Sequence, residues 1–293
     1  MRVTDNTRLL NVLRNNAVSA KRLTMASRRA SAGAKVVSAS DDPVAFGTSV
    51  RRGSTIASIA SRTSIARAAA DDLTVTEGAL NSSTELLSQA RSLAVQGAND
   101  ALSATDRAAL ASSVDGIREQ LLGLANTRGS QGYVFGGSRT DTPPFDSTGA
   151  FVGNDTMLRI PVTDGAAVKK NVSGAKAFTA AGGIDVFAQL AALSTALTTN
   201  NVAGVRTSID TMQTGYDQAV AVQVDAGLSM ERLRSAADVL DTASLAVSQA
   251  NSRDIGADDL AGLATELAAA SNAYAQSLDV TKKLLSIPSL ASV

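Results

Sequence analysis

Three pairs of adjacent aspartates, Asp41–Asp42, Asp71–Asp72 and Asp258–Asp259, are the residues of this sequence best placed to do chemistry. Neighbouring carboxylates can hold a divalent cation. Here the surroundings point elsewhere. The first and third pairs open helix-forming runs, where a carboxylate accepts hydrogen bonds from unpaired N–H groups and meets the positive end of the helix dipole. The second pair lies mid-helix and reads as a solvated face. Gly136–Gly137 lacks the spacing of a phosphate-cradling loop, neither of the common nucleotide-binding glycine motifs occurs, and the pair reads as turn chemistry. Cysteine and histidine are both absent. That excludes disulfides, thiol nucleophiles, Cys/His zinc sites and Ser-His-Asp catalysis. The expectation is a protein that is not an enzyme and has no catalytic, metal-binding or cofactor-binding residues.

Charge is balanced in total, with 27 Lys/Arg against 27 Asp/Glu, and so nominates neither nucleic acid nor a membrane as partner. Its distribution is uneven. Residues 1–70 hold twelve basic residues against only Asp5, Asp41 and Asp42. Such an arm fits a mitochondrial transit peptide, being Arg- and Ser-rich. It also fits a nucleic-acid contact, although no aromatics interleave its charges as stacking platforms. The third reading is the solvated face of a helix that packs against a partner. A lone helix is marginal in water, which favours this reading, with the C-terminal segment as the natural partner. No run approaches the roughly 18 consecutive apolar residues of a membrane span, and the N-terminus has no apolar core of a cleaved signal.

The elements that carry these residues are mostly helical. Leu9, Leu13, Ala20, Leu23 and Ala30 give a thin amphipathic stripe from Asp5 to about Ala32. The stretch SAGAKVVSASDDPV interrupts it, and Asp42 or Ser40 caps the next helix with Pro43 in its first turn. Ile59, Ala66, Leu73, Leu80, Leu87 and Ala94 then recur seven residues apart, the signature of one seam on a gently supercoiled helix. A further helix, started by Ser103 and Asp106, runs to about Thr127. From Val205 to Asn251 a three/four pattern implies a helix roughly 70 Å long. The last helix, capped by Asp258 or Asp259, carries Leu260, Leu263, Leu267, Tyr274, Leu278 and Leu285.

Between the helical halves, residues 129–184 break the pattern with Gly, Pro and aromatics. Six of the nine Phe/Tyr (Tyr133, Phe135, Phe145, Phe151, Phe178, Phe187) fall at 133–187. The short runs YVF, AFV, MLRIPV and AKAF, punctuated by Gly, Asn, Asp and Ser, predict a small β-rich insertion with tight turns. Gly136, Gly137, Pro143 and Pro144 are its turn residues, and Tyr133, Phe135 and Phe145 the packing seam where it meets the helices. The predicted fold is mainly α: an elongated rod of long antiparallel helices with terminal coiled-coil helices and that insertion. Its expected divisions are 1–38, 39–130, 131–184, 185–256 and 257–293. The two terminal stripes are thin and lie at the chain ends, which suits segments ordered by neighbouring subunits.

SAGAKVVSASDDPVAFG (31–47), DRAALASSVDGIREQLLGLANTRGSQGYVFGGSRTDTPPFD (106–146) and ASNAYAQSLDVTKKLLSIPSL (270–290) resemble the flagellar hook-associated protein 3 (FlgL) family of the flagellin superfamily. The DDP of Asp41–Asp42–Pro43 and the YVFGGSRTDTPPF block are the most characteristic. The resemblance implies a structural protein exported unfolded through the flagellar type III apparatus without signal cleavage. It implies an extracellular ring of copies of the chain between hook-associated protein 1 and the flagellin filament, with an export chaperone on the C-terminal region. Leu9, Leu13 and Leu23, with Leu260, Leu263, Leu267, Tyr274, Leu278 and Leu285, would be subunit-interface positions. The Arg-rich arm, the compact insertion and the ending SLASV depart from the family's pattern. Filament flagellin is the alternative within the superfamily; a helical binding module with a basic arm is the alternative outside it.

Overall fold

A computed structural model describes residues 2–163 and 165–286, with the side chains of 2–6, 163, 166 and 285 outside the description. Seven helices are present among these residues: α1 (Arg2–Ala32), α2 (Pro43–Gly97), α3 (Ala104–Ala125), α4 (Gly174–Phe178), α5 (Val186–Thr198), α6 (Val202–Ile255) and α7 (Leu260–Leu285). They form two compact units. One comprises Met1–Ile59 with Thr242–Val293, the other Ala60–Asp241, and the long helices α2 and α6 contribute to each.

In the Ala60–Asp241 unit, α2, α3, α5 and α6 share one core. The seven-residue seam of α2 is buried at Ala66, Leu73, Leu80, Leu87 and Ala94. The seam of α6 repeats at the same interval through Val205, Met212, Ala219, Ala226, Leu233 and Leu240, all buried. The two helices run antiparallel. Thr74 Oγ1 meets Met230 Sδ at 3.2 Å, Arg206 reaches Asp100 at 2.8 Å, and Arg67 pairs with Asp241. Polar residues buried along α2 and α6 turn inward on their own helix: Thr76, Ser83, Thr84 and Ser208 donate their hydroxyls to carbonyls three or four residues back. That satisfies each group without a partner on another helix.

Helix starts follow side-chain capping. Ser103, Asp185 and Asp259 accept from the N–H groups of Asp106, Ala188 and Gly262. Asp42, and not Ser40, caps α2, accepting from Val44 N and Ala45 N at 2.9 Å each.

The insertion holds two short antiparallel hairpins, β1 (Arg128–Gly129) with β2 (Gly132–Tyr133) and β3 (Arg159–Thr163) with β4 (Ala166–Lys169). A Phe145–Phe151 bridge joins the strands of a third turn. AKAF, counted above among the extended runs, is helical in α4. Ser173 supplies its N-cap by accepting from Lys176 N at 3.0 Å, and five residues are too few for periodicity to separate strand from helix.

Candidate functional site

In the unit of residues 1–59 and 242–293, two helix ends meet in one knot. α1 and α6 each end on a left-handed glycine, Gly33 and Gly256. In both turns the glycine N–H returns to the carbonyl three residues back, and the next N–H to the carbonyl five back: Ala34 to Arg29, Ala257 to Ser252. The two turns are then tied together, because Lys35 N and Val36 N donate to Ile255 O at 2.8 and 3.1 Å. Gly256 is required twice over. Its φ is +66°, and a Cβ there would lie 2.8 Å from the Lys35 side chain.

Charges fasten this knot. Lys35 Nζ reaches Asp259 at 2.6 Å, and Arg52 reaches Asp254 at 2.5 Å and the Ala250 carbonyl at 3.1 Å. Arg29 forks between Asp41 and Glu266, both at 2.9 Å. Asp41 also accepts from Ser38 Oγ, Ser38 N and Val37 N at 2.8, 2.9 and 3.2 Å. The Arg29 guanidinium first, then Ser38 and the Val37 N–H, hold the Asp41 carboxyl far below the usual carboxylate range. In the DDP sequence, Asp41 therefore gathers the turn, Asp42 caps α2, and Pro43 occupies the first helical position.

This depression has a definite sign. A carboxylate whose folded pKa lies below its unfolded value stabilises the fold above the unfolded value, about 3.9, and loses that contribution as pH falls below it. The deficit in Tm of Asp41→Asn relative to the parent is therefore expected to be largest near neutrality and to shrink between about pH 5 and pH 2. Thermal melts at several pH values measure it. A pH-independent deficit would show that the lost contribution is packing and not charge.

The sequence-predicted interface residues all sit on the antiparallel α1–α7 pair, registered by Asn16 Nδ2 to Thr281 Oγ1 at 2.6 Å and by Arg29 to Glu266. Leu263 is buried; Leu9, Leu23, Leu267 and Tyr274 are half-buried; Leu13, Leu260 and Leu278 are exposed. Leu285 closes α7, and its side chain lies outside the described ones. Only Ala26, Ala34 and Leu263 are buried apolar residues of this unit among those described. The pair is well fastened at one end and thinly cored along its length.

The insertion is built around four buried phenylalanines. Phe178 meets Phe135 edge-on at 5.4 Å and Phe145 at 5.6 Å, while Phe187 lies 5.5 Å from Phe145. Phe135 and Phe145 thus join the cluster and Tyr133 does not. Tyr133 is half-buried, with the Arg128 guanidinium 4.9 Å above its ring. Phe178 and Phe187 complete the cluster, and their signal in the sequence was their rarity. Asn126, capping α3, clasps the Phe145 backbone with both side-chain atoms, each at 3.0 Å. Gly137, at φ +68°, leaves no room for a side chain, since a Cβ would lie 2.0 Å from Asn154 O. Pro144 is buried and its carbonyl accepts from Val152 N at 2.8 Å; Pro143 and the backbone around Gly136 complete the turn.

Three polar residues carry more than their sequence context suggests. Asp72, read as a solvated face, accepts from Ser130 N and Oγ at 2.7 and 2.8 Å and so ties α2 to the β1–β2 turn. Gln218, buried on α6, donates to the carbonyls of Ala177, Thr179 and Ile184 and accepts from Ile184 N at 3.0 Å. Arg107, buried at the start of α3, binds the carbonyls of Gly97 and Asn99 and the side chain of Asn200. Among the described residues no group of three His, Cys, Asp or Glu is placed to hold a metal ion. No helix among them is long and apolar enough to cross a membrane.

Residues 3–140 match the family model of the bacterial flagellin N-terminal helical region. Flagellar hook-associated protein 3 of Escherichia coli is 35% identical over 131 residues, covering 44% of this chain and 41% of that protein. Its Salmonella typhimurium counterpart is 34% identical over 151 residues, 50% of this chain and 47% of that protein. Residues 3–140 thus carry the flagellin N-terminal helical region, and over about half of its length the chain is similar to the hook-associated protein 3 family of the flagellin superfamily. It spans under half the length of these two curated relatives. The B-type flagellin of Pseudomonas aeruginosa is 31% identical over 165 residues, 56% of this chain and 33% of that protein. FlgL of Bacillus cereus superposes with a TM-score of 0.59 at 21% identity, over 69% of this chain and 99% of that one. The flagellar junction protein FlgL of Legionella pneumophila superposes at 0.56 and 17%, over 72% of this chain and 100% of that one. At such identities the superpositions show the fold. The family is one of flagellar structural proteins, and its place is the bacterial flagellum.

Proposed function

We propose that this chain is a member of the hook-associated protein 3 family and an adaptor at the hook–filament junction. Copies of it form a ring between hook-associated protein 1 and the flagellin filament, outside the cell. It reaches that position through the flagellar type III apparatus without a cleaved signal, with an export chaperone on its C-terminal region. The role is structural and not catalytic. The carrying observation is the α1–α7 pair: fixed at one end by the Arg29–Asp41–Glu266 knot, it has almost no core of its own and leaves Leu10, Leu13, Val18 and Met25 exposed. A helix pair so poor in buried area acquires its missing contacts from neighbouring subunits. Residues 1–38 and 257–293 form the terminal pair in this reading, with Leu9, Leu13, Leu23, Leu260, Leu267, Tyr274, Leu278 and Leu285 as subunit-interface positions, while Leu263 is taken up by the pair's own core. Residues 39–130 and 185–256 form the helical body, and 131–184 the outer insertion.

Filament flagellin is the second reading, favoured by the Pseudomonas aeruginosa match. Electron microscopy of the purified chain under polymerising precipitant, after circular dichroism has confirmed helix, separates the two. Monomers and short aggregates are expected of an adaptor that needs a different partner on each side. Long regular filaments would make the chain a filament flagellin.

A further inference from the structure

Leu10, Arg14, Val18, Lys21, Met25 and Arg28 follow one another along α1 at spacings of three or four residues, which places all six on one face. All six are exposed, Leu10 to 62%. Arg14, Lys21 and Arg28 make no ion pair among the described residues. α7 packs on α1 and leaves this stripe uncovered. A face with a cation at every seventh residue repels its own kind. Its complement is a helix with exposed apolar side chains and carboxylates at the same interval.

This chain carries such a face on α6. Asp210, Asp217 and Glu231 stand at multiples of seven residues, and Val224 and Leu228 lie between the last two. All five are exposed, Val224 to 64%. We propose that the α1 stripe of one copy docks on this α6 face of a second copy. Set antiparallel, the shared interval brings Arg28 level with Asp210, Lys21 with Asp217, Arg14 with Val224 and Leu10 with Leu228. Apolar contact, Leu10 on Leu228 and the Arg14 stem on Val224, supplies adhesion and register, and the two charge pairs select the partner. The proposal rests on the reading of the chain as a subunit that assembles with copies of itself.

The test mixes equal amounts of unlabelled and heavy-nitrogen-labelled full chain at high concentration and low salt. A carbodiimide then joins amines to carboxylates in direct contact. Peptide pairs of mixed isotope linking Lys21 to Asp210 or Asp217 are expected. Their yield should fall about tenfold or more in Arg28→Glu, which keeps the Lys21 amine and sets a carboxylate against Asp210, relative to the other mixed-isotope pairs. It should return when Asp210→Lys is added to the same chain, with circular dichroism confirming the fold of each variant. Mixed pairs from Lys21 to other carboxylates would overturn this docking face and leave self-assembly standing. Same-isotope pairs alone would place the contact within one chain and overturn it. No mixed pair of any kind would overturn the docking face. The junction role is read separately, from filament retention in cells that lack their own hook-associated protein 3.

Discussion

Phe135→Ser is expected to destabilise the Ala60–Asp241 unit by about 4 kcal/mol, with a fall in Tm of about 10 °C. The ring is fully buried and meets Phe178 edge-on at 5.4 Å. Its loss removes apolar burial, leaves a cavity, and places a hydroxyl among rings that offer no acceptor. Helix content below the transition should be unchanged, because the seams of α2 and α6 do not pass through this ring. Tyr133→Ser is the internal control. Tyr133 is half-buried and its distinctive partner is the Arg128 guanidinium, so its loss should cost about 1 kcal/mol. Equal effects of the two substitutions in thermal melts would place Tyr133 in the core seam after all. A parent-like Phe135→Ser would remove the aromatic cluster from the account of how the insertion is held.

Arg107→Leu should cost about 3 kcal/mol. The guanidinium is buried at the base of α3 and serves three acceptors: Gly97 O, Asn99 O and Asn200 Oδ1. The first two belong to the α2–α3 turn and the third to the α5–α6 turn, so one side chain holds two connections in place. Leucine fills part of the space and leaves the buried Gly97 carbonyl and the part-buried acceptors of Asn99 and Asn200 without their donor. Arg107→Lys tests the geometry, since an ammonium cannot fork to three acceptors and should recover less than half of the loss. Urea unfolding gives the free energies, and amide exchange at residues 97–103 and 198–202 shows whether both turns loosen. Full rescue by lysine would mean that charge alone matters there.

The helical frame was legible because burial on a long helix is periodic. Leu73, Leu80 and Leu87 announce their seam at one interval, and the structure buries all three. Capping aspartates were legible as a class and not individually, since Ser40 and Asp42 are equally good acceptors on paper and only backbone geometry chooses between them. Other residues were opaque for a physical reason. Arg107 and Gln218 bind loop carbonyls, and a carbonyl has no residue identity to read. Asp72 looked solvated because its partner, Ser130, is distant in sequence. Asp41 was visible as half of an acidic pair, yet its task depends on Arg29 and Glu266 meeting across two helices. The aromatic cluster was half visible. Phe135 and Phe145 stand in the glycine-proline block, whereas Phe178 and Phe187 enter from α4 and the start of α5.

The self-satisfied hydroxyls of α2 and α6 bear on how the bundle responds to load. Thr76, Ser83, Thr84 and Ser208 spend their hydrogen bonds on their own backbones, so these buried groups add no directional bond between helices along the seam. What remains in the buried seam is interdigitated contact between small and aliphatic side chains, which resists sliding because each side chain sits in its own hole. The directional ties lie outside that seam, at the turns through Arg107 and on side chains nearer the surface, such as Thr74, Arg67 and Arg206. A load on the bundle is therefore met along the seam by packing, with the turns and the surface pairs holding the helices in register.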